Sequence, residues 1–272
     1  MDNKSKNVLK IKKFLKNDDT YLIFWIRHGY SFGNHLKESN HPLKSNIKST
    51  IPDIYLTEIG YQKTLRTGDF INRLDKEIVN NIYDKIYASN LLRTIETGLG
   101  VKESCPKLFK TVTPVPFINE IKNHQIYATK FDNEINKKYL KKKLDIQNRD
   151  YKSVQFNDNF YKKKIVGDKE SNKYNFRNFV FPNIRKNMKD KKIVCIISHS
   201  GTIEDNTHIV PNNSSIVVQP VKIDSNNNFC YKKSFTLKNG HSKKYYLKNI
   251  NKKDENNCFK KINFMKKLNE FN

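Results

Sequence analysis

Two histidines and two arginines have the side-chain types expected of a site that handles a phosphoryl group: Arg27, His28, Arg93 and His199. A neutral imidazole nitrogen is a nucleophile. A guanidinium beside an imidazole lowers the pKa of that imidazole and so keeps it neutral. The guanidinium also carries a planar fork of donors that matches phosphate oxygens. Together these groups predict nucleophilic attack on phosphorus, with cations stabilising the transition state.

Each of these residues also has an ordinary structural explanation. His28 could be satisfied by a turn, and Arg93 could form a surface ion pair with Glu96, one helical turn away. His199 could be a core histidine that bonds to a backbone carbonyl. The chemical interpretation depends on their joint occurrence at predicted strand ends, where they would form a cationic cup for one phosphoryl group.

Three short apolar runs precede these residues and predict the strands that position them. The predicted strands cover residues 21–26, 84–88 and 192–198; the second, DKIYA, is apolar only from Ile86 onwards. Continuous apolar runs of this length are typical of buried strands in a parallel sheet. In open α/β sheets, ligands bind beyond the carboxyl ends of the strands. We therefore expect the polar residues that follow the three runs to share one edge of a sheet.

Helical patterns alternate with these strands and indicate an α/β fold built in layers. Thr57 offers an N-cap for a helix over 58–75, and Ser89 offers one for a helix near 90–100. The remaining predictions are a loop over 30–56, a strand at 111–115, a helix over 173–190 that Pro182 kinks or divides, a short helix at 202–209, and strands at 214–221 and 229–237.

The chain is strongly basic, with a formal net charge of +25. Such a charge attracts nucleic acid, anionic membrane surfaces and polyanionic substrates. Only 7 of the 52 Lys and Arg residues are arginines, and Lys, Asn and Ile are the residues that AT-rich codons supply. We interpret most of the charge as a solvated surface that favours encounters with anionic substrates at low salt. Nucleic acid is expected to bind only non-specifically, if at all.

The spacing of the cysteines and the lengths of the apolar runs indicate in which cellular compartment the protein is expected. The four cysteines are scattered, without the paired spacing of a metal site or a disulfide framework. The basic N-terminus is not followed by the apolar stretch of a signal peptide. No apolar run approaches the length of a membrane-spanning helix. We expect a reducing, cytoplasmic location.

We divide the chain into a basic N-terminal arm or short helix at 1–19, a main domain at 20–249 and a basic C-terminal tail at 250–272. Within the main domain, residues 121–190 form the least regular part and predict an insertion or cap region, partly helical near 133–147. Four apolar residues of the tail share one helical face, which indicates an amphipathic helix that docks on the domain or contacts a membrane. They are Phe259, Ile262, Met265 and Leu268.

Several short segments occur in the order of the motifs of a known family. Residues 27–34, RHGYSFGN, resemble the RHGxSxxN signature of the histidine phosphatase (phosphoglycerate mutase-like) superfamily. Residues 89–97 are similar to its SxLxRAxxT segment, with Thr94 where alanine is usual. Further similarities are residues 56–60 to the LTxxG stretch, 198–203 to the second histidine motif and 211–216 to a late asparagine-containing segment. Several motifs in the right order make a specific signal.

The resemblance implies a fold and a set of roles. The fold would be a three-layer α/β/α sandwich with a mostly parallel central sheet, plus a cap region. His28 would attack phosphorus and carry a phosphohistidine, without a metal or cofactor. Glu120, in the place of the family's general acid, would protonate the leaving oxygen; Glu204 and Asp205 are weaker candidates. The phosphoryl oxygens would be held by Arg27, Asn34, Arg93, His199 and Ser200.

The resemblance leaves three functions to separate. The first is a phosphatase that hydrolyses a phosphate monoester of a small molecule or a phosphoprotein. The second is a phosphoglycerate mutase-like phosphotransferase. Residues 121–124 after Glu120 lack the Arg- and Gly-containing stretch of the glycolytic mutases, which favours hydrolysis. The third is a basic non-catalytic scaffold that binds nucleic acid or anionic partners.

Overall fold

The strands of the central sheet coincide with the apolar runs of the sequence. A computed structural model describes residues 3–40, 54–119, 137–161 and 169–270. Buried β-branched and aromatic side chains dominate the central strands, because both faces of the sheet are covered. The strands are β1 (Thr20–Arg27), β2 (Ile82–Ser89), β3 (Thr111–Val115), β4 (Ile193–Ser198), β5 (Ile216–Ile223), β6 (Phe229–Tyr231) and β7 (Phe235–Lys238).

Most strands run in one direction. The sheet order is β3-β2-β4-β1-β5-β6, with β7 also paired to β5. Strands β1 to β4 pair in parallel, and β5 is antiparallel to β1, β6 and β7. Among the described strands, therefore, β5 alone runs the opposite way. Arg27 is in register with Ser198, and Ile197 with Ala88, so β1, β2 and β4 end at one level.

Helices cover the two faces of the sheet. Along β1, Leu22, Phe24 and Ile26 pack into one apolar cluster, while Ile23 and Trp25 pack into a second. This alternation is what a strand buried on both faces requires. The expected three-layer α/β/α arrangement with a mostly parallel sheet is confirmed. The helices are α1 (Asn3–Leu15), α2 (Phe32–Glu38), α3 (Glu58–Glu77), α4 (Leu92–Ser104), α5 (Lys137–Ile146), α6 (Lys169–Asn175), α7 (Phe181–Asn187), α8 (Ser200–Thr207), α9 (Lys243–Asn249) and α10 (Lys252–Glu270).

Local signals in the sequence set most of these boundaries. Thr57 caps α3, as predicted, by accepting a hydrogen bond from the Gly60 amide. The helix predicted over 173–190 is divided: a π-helical segment, Phe176–Val180, separates α6 from α7, and Pro182 lies in the first turn of α7. Pro182 has no amide hydrogen to donate, and the change from π-helical to α-helical bonding falls just before it.

Three predictions differ from the structure. Residues 32–38 of the predicted loop are helical, because Ser31 and Asn34 form a reciprocal capping box at the start of α2. Ser89 is not the N-cap of α4; that position belongs to Leu91, and the Ser89 hydroxyl turns towards other side chains. The late strand over 229–237 is broken into β6 and β7, which pair with different parts of β5.

The two terminal segments contribute to the core. Val8 and Ile11 of α1 are buried in the first apolar cluster, so residues 3–15 form a docked helix. In α10, the ring of Phe259 meets the ring of Phe32 edge-on at 5.2 Å. This part of the amphipathic face therefore packs on the domain. The side chains of Ile262, Met265 and Leu268 lie outside the described residues.

The described parts of the predicted cap region also pack on the core. Leu140 and Leu144 of α5 join the first apolar cluster, and Phe160 and Phe176 join the second. Residues 120–136 and 162–168 of this region lie outside the described ranges.

Two glycines let α3 and α4 approach closely. A Cβ atom at Gly68 would overlap the backbone oxygen of Val101, and one at Gly100 would overlap the hydroxyl of Thr64. The close contact holds α4, which carries Arg93, against α3 and the sheet. Small residues are therefore required at this crossing.

We predict that Gly68→Ala destabilises the protein by about 1–3 kcal/mol, because the new methyl group would force the two backbones apart. In an unconstrained helix the same change stabilises by about 1 kcal/mol. Gly201→Ala is the matched control, since a Cβ there would meet nothing within 4 Å. Urea unfolding of both variants measures the difference, and an unchanged or higher midpoint for Gly68→Ala would contradict the packing at this crossing.

Candidate active site

The two histidines meet at the carboxyl edge of the sheet. His28 directly follows β1 and His199 directly follows β4, and these strands are parallel neighbours. The ring centroids lie 5.2 Å apart, with the rings tilted by 57°. His28 is 3% exposed and His199 is 0% exposed. Residues that are distant in sequence thus form one buried pair because parallel strands bring their ends together.

Hydrogen bonds from three other segments hold the backbone of the loop that carries His28. The amide of His28 donates to the Ser198 carbonyl at 3.0 Å. The Gly29 amide donates to the Thr97 hydroxyl at 2.9 Å. The side-chain amide of Asn213 donates to the carbonyls of His28 and Gly29 at 3.1 and 3.3 Å. The loop is therefore tied to β4, to α4 and to the segment before β5.

One hydrogen bond determines which nitrogen of His28 can react. Nδ1 lies 2.7 Å from the Gly29 carbonyl oxygen, which can only accept. Nδ1 must therefore carry the proton in the neutral ring, and Nε2 keeps its lone pair. A histidine held in this way presents Nε2 as a nucleophile.

The surroundings keep His28 uncharged. Its pKa lies well below the usual value for histidine, and burial is the largest cause. The positive charge of Arg93, the neighbouring His199 and the positive charge of Arg27 lower this pKa further. The sequence suggested Arg27 as the cause; the structure gives burial and Arg93 larger shares.

Arg93 reaches the histidine pair from the first turn of α4. Its Nη2 atom lies 3.2 Å from Nδ1 of His199. Glu96, the suggested ion-pair partner of Arg93, is fully buried and accepts a hydrogen bond from the Leu56 amide at 2.7 Å. The carboxylate of Glu96 thus anchors the chain just before α3, while Arg93 extends towards the site.

The other predicted site residues have different surroundings. Arg27 ends β1, and its Nη1 donates to the Pro211 carbonyl at 2.8 Å. The side-chain oxygen of Asn34 accepts from the Ser31 amide in the capping box, at 3.2 Å. Ser200 is the first residue of α8, next to His199. Glu120 lies outside the described residues, so its predicted role as general acid remains a prediction.

The residue before Glu120 is bonded into the site. The side-chain oxygen of Asn119 accepts from the Asn90 amide at 3.0 Å, and its carbonyl accepts from the Thr202 hydroxyl at 2.9 Å. Phe117, two residues earlier, is buried and has a φ of 67°. A bulky residue with a left-handed backbone conformation is strained and is retained where the surroundings impose it.

Glu204 and Asp205, the weaker acid candidates, lie on α8.

The sequence predictions did not include several residues that support the site. Ser89 and Thr94 bond to each other, and Ser89 bonds to Nε2 of His199 at 2.7 Å. Asn213, just before β5, holds the His28 loop from the side of β1 opposite β4. The motif matches contained all three residues. The bonds that tie them to the site, from Ser89 to His199 and from Asn213 to the His28 loop, join residues far apart in sequence, where no spacing rule applies.

The described charged groups around the histidine pair are cationic: Arg93 contacts His199, and the charges of Arg93 and Arg27 act on His28. Two neutral-capable imidazoles and two guanidiniums suit a phosphoryl group better than a metal ion, which guanidiniums would repel. The described residues contain no cluster of three or more His, Cys, Asp or Glu side chains arranged to ligate a metal. Within the same ranges, no helix has the length and apolar character to cross a membrane.

Comparison with known proteins gives similarity at the level of structure. No protein-family model and no curated protein matches the sequence. The ecdysone phosphate phosphatase of Bombyx mori, in complex with tungstate, has 15% identity and a TM-score of 0.47, covering 82% of this chain and 96% of that chain. Mycobacterial hydrolase 1 has 12% identity and a TM-score of 0.47, covering 82% and 100%.

A phosphoglycerate mutase of Plasmodium falciparum has 15% identity and a TM-score of 0.36, covering 83% of this chain and 96% of that chain. These similar structures are members of the histidine phosphatase superfamily, which the motifs of this chain resemble. Because the identities and TM-scores are low, the function proposed below rests on the site geometry.

The depressed pKa of His28 predicts how stability depends on pH. In the unfolded chain His28 titrates near its usual pKa of about 6.5. As pH falls below that value, the unfolded state binds a proton that the native state does not, so the free energy of unfolding falls. The loss is up to about 1.4 kcal/mol for each pH unit between the unfolded and folded pKa values.

We therefore expect His28→Gln to flatten the decline in the free energy of unfolding between about pH 8 and pH 5, measured by urea unfolding. The exposed His208, at the end of α8, supplies the control variant His208→Asn, which should keep the wild-type decline. An equal pH dependence in wild type and His28→Gln would show that His28 is not held neutral.

Proposed function

We propose that this protein is a phosphatase that hydrolyses a phosphate monoester through a phosphohistidine on His28, without a metal ion. The observation that carries the proposal is the position of the buried His28 ring. Its Nδ1 is hydrogen-bonded to the Gly29 carbonyl, and the ring lies beside that of His199. The positive charges of Arg27 and Arg93 act on this ring. They would also attract and orient a phosphoryl group.

The first step would be in-line attack on phosphorus. The lone pair of His28 Nε2 forms the N–P bond as the bond from phosphorus to the ester oxygen breaks. Phosphoryl transfer depends mainly on positioning and on stabilising charge spread over the equatorial oxygens. Arg27, Arg93 and His199 would supply that stabilisation, with the first-turn amides of α8 around Ser200 as further donors.

The leaving oxygen needs a proton, for which we propose Glu120. Its neighbour Asn119 is bonded to Asn90 and Thr202, which follow β2 and begin α8. Glu120 would protonate the departing alkoxide in the first step. In the second step its carboxylate would take a proton from the water that attacks phosphorus and breaks the N–P bond.

Hydrolysis and phosphotransfer share the first step and differ in the acceptor. In hydrolysis the phosphohistidine loses its phosphoryl group to water, and inorganic phosphate is released. In a mutase a hydroxyl of a second phosphorylated molecule takes the group, with no net release. We propose a phosphorylated small molecule or a phosphoprotein as substrate. Wild-type release of inorganic phosphate from a simple ester separates the two activities.

We expect His28→Ala to abolish phosphate release from p-nitrophenyl phosphate, with chelator present throughout, because no other group replaces the nucleophile. Arg93→Ala should lower kcat by about 10²–10³, the usual cost of removing one donor to transition-state charge. Arg73→Ala, an exposed arginine on α3, is the matched control and should keep wild-type activity.

Brief reaction with ³²P-labelled ester and denaturing quench should trap label on wild type but not on His28→Ala. The trapped bond should be labile in acid and stable in alkali, as expected of a phosphohistidine. Turnover by His28→Ala at the wild-type rate, or label that survives acid, would refute the proposed mechanism.

The proposed acid makes a separate prediction. Glu120→Gln should slow hydrolysis of an alkyl phosphate by about 10²–10⁴, the usual range for general acid catalysis. Hydrolysis of p-nitrophenyl phosphate should slow less in its first step, since nitrophenolate leaves without a proton. Equal slowing of phosphohistidine formation from both substrates, measured in single-turnover experiments, would assign the proton to another group.

A further inference from the structure

A chain of three buried groups runs from His199 to the backbone of the β2–α4 connection. Nε2 of His199 lies 2.7 Å from the Ser89 hydroxyl, which lies 2.8 Å from the Thr94 hydroxyl. The Thr94 hydroxyl donates to the backbone carbonyls of Ser89 and Leu91. All three side chains are fully buried, so water does not compete for these bonds.

The direction of every hydrogen in this chain is determined from its two ends. At one end Thr94 meets carbonyl oxygens, which only accept, so the Thr94 hydroxyl uses its hydrogen there and can only accept from Ser89. The Ser89 hydroxyl then donates its hydrogen to Thr94, and must accept a hydrogen bond from Nε2–H of His199. At the other end, Arg93 can only donate, so Nδ1 of His199 must carry a lone pair. Both ends require the same tautomer.

This tautomer has a consequence for anion binding. Nδ1 is the His199 nitrogen that faces Arg93, and it has no hydrogen to offer to a phosphoryl oxygen. When Arg93 turns its donors to a bound dianion, Nδ1 can bond to that dianion only after gaining a proton from solution. The resulting imidazolium is stabilised by the negative charge of the anion, while Ser89 still accepts from Nε2–H.

We propose that Thr94 and Ser89 are positioning residues that keep His199 in the Nε2–H tautomer, so that binding of a phosphoryl dianion is coupled to uptake of one proton at Nδ1. This inference rests on the proposed function of the site. Thr94 stands where the SxLxRAxxT motif that residues 89–97 resemble usually has alanine. The proposed coupling is therefore particular to this protein. Without the Thr94 hydroxyl, Ser89 could turn and donate to Nε2, and the Nδ1–H tautomer would bind the dianion with no proton uptake.

Other charged or titratable groups lie near His199, and their contribution to proton uptake must be distinguished from that of His199. The described ones in contact with His199 are Arg93 from α4 and His28, which follows β1. The charge of Arg27 acts on His28. The arginines do not titrate in the relevant range. His28 can also gain a proton when an anion binds, but it does so in wild type and in every Thr94 variant. Its contribution therefore cancels in the difference between them.

The test is calorimetric titration of the whole protein with tungstate in mildly alkaline solution, where tungstate stays a monomeric dianion and takes up no proton itself. Measurements in buffers of different ionisation enthalpy give the number of protons taken up. We expect Thr94→Val and Thr94→Ala to take up fewer protons than wild type, by up to about one, and Thr94→Ser to match wild type. His199→Gln should also lower the uptake by about one proton.

The outcomes distinguish this coupling from the function on which it rests. Tungstate binding with equal proton uptake in wild type, Thr94→Ser and Thr94→Val would overturn the role of Thr94 and leave the anion site in place. Failure of folded wild type to bind tungstate or phosphate would overturn both. Thr94→Val removes the hydroxyl at nearly unchanged side-chain volume and Thr94→Ser keeps the hydroxyl, so these two variants carry the test if Thr94→Ala unfolds.

Discussion

The His28 ring is buried between positively charged groups, and the chemistry of the site follows from that constraint. Burial and the charges of Arg93 and Arg27 all act against a protonated ring, so its nucleophilic lone pair is preserved. The same cations would attract the phosphoryl dianion that we propose as the reacting group, because its negative charge would be attracted where a protonated ring is repelled. Under the proposed function, one electrostatic arrangement would thus both keep His28 nucleophilic and favour an anionic substrate.

The fold maintains this arrangement with rigid elements. Parallel pairing of β1 with β4 places the two histidines together, and Asn213 and Thr97 fix the loop that carries His28. Gly68 and Gly100 allow α3 and α4 to pack closely, and this contact fixes the position of α4, the helix that bears Arg93. Like charges in a buried site repel each other, so the surrounding packing must supply the stability that the site itself lacks.

Several features were predictable because their signals are local. The apolar runs before Arg27 and His199 identify the central strands, and Thr57 marks the start of α3. Prediction was wrong where a residue had two uses. Ser89 has the type of an N-cap, but its hydroxyl bonds to His199. Residues 32–38 looked like a loop, yet the Ser31–Asn34 capping box starts a helix there.

The sequence by itself determined the layered α/β class and the identity of the residues that gather at the sheet edge, because hydrophobic periodicity and short motifs act within a few residues. Only the tertiary structure decided how those residues bond. Which nitrogen of His199 carries the proton depends on Arg93, Ser89 and Thr94, more than 100 positions earlier in the chain. Hydrogen-bond direction is a property of partners in space, and the folded sheet alone brings these partners together.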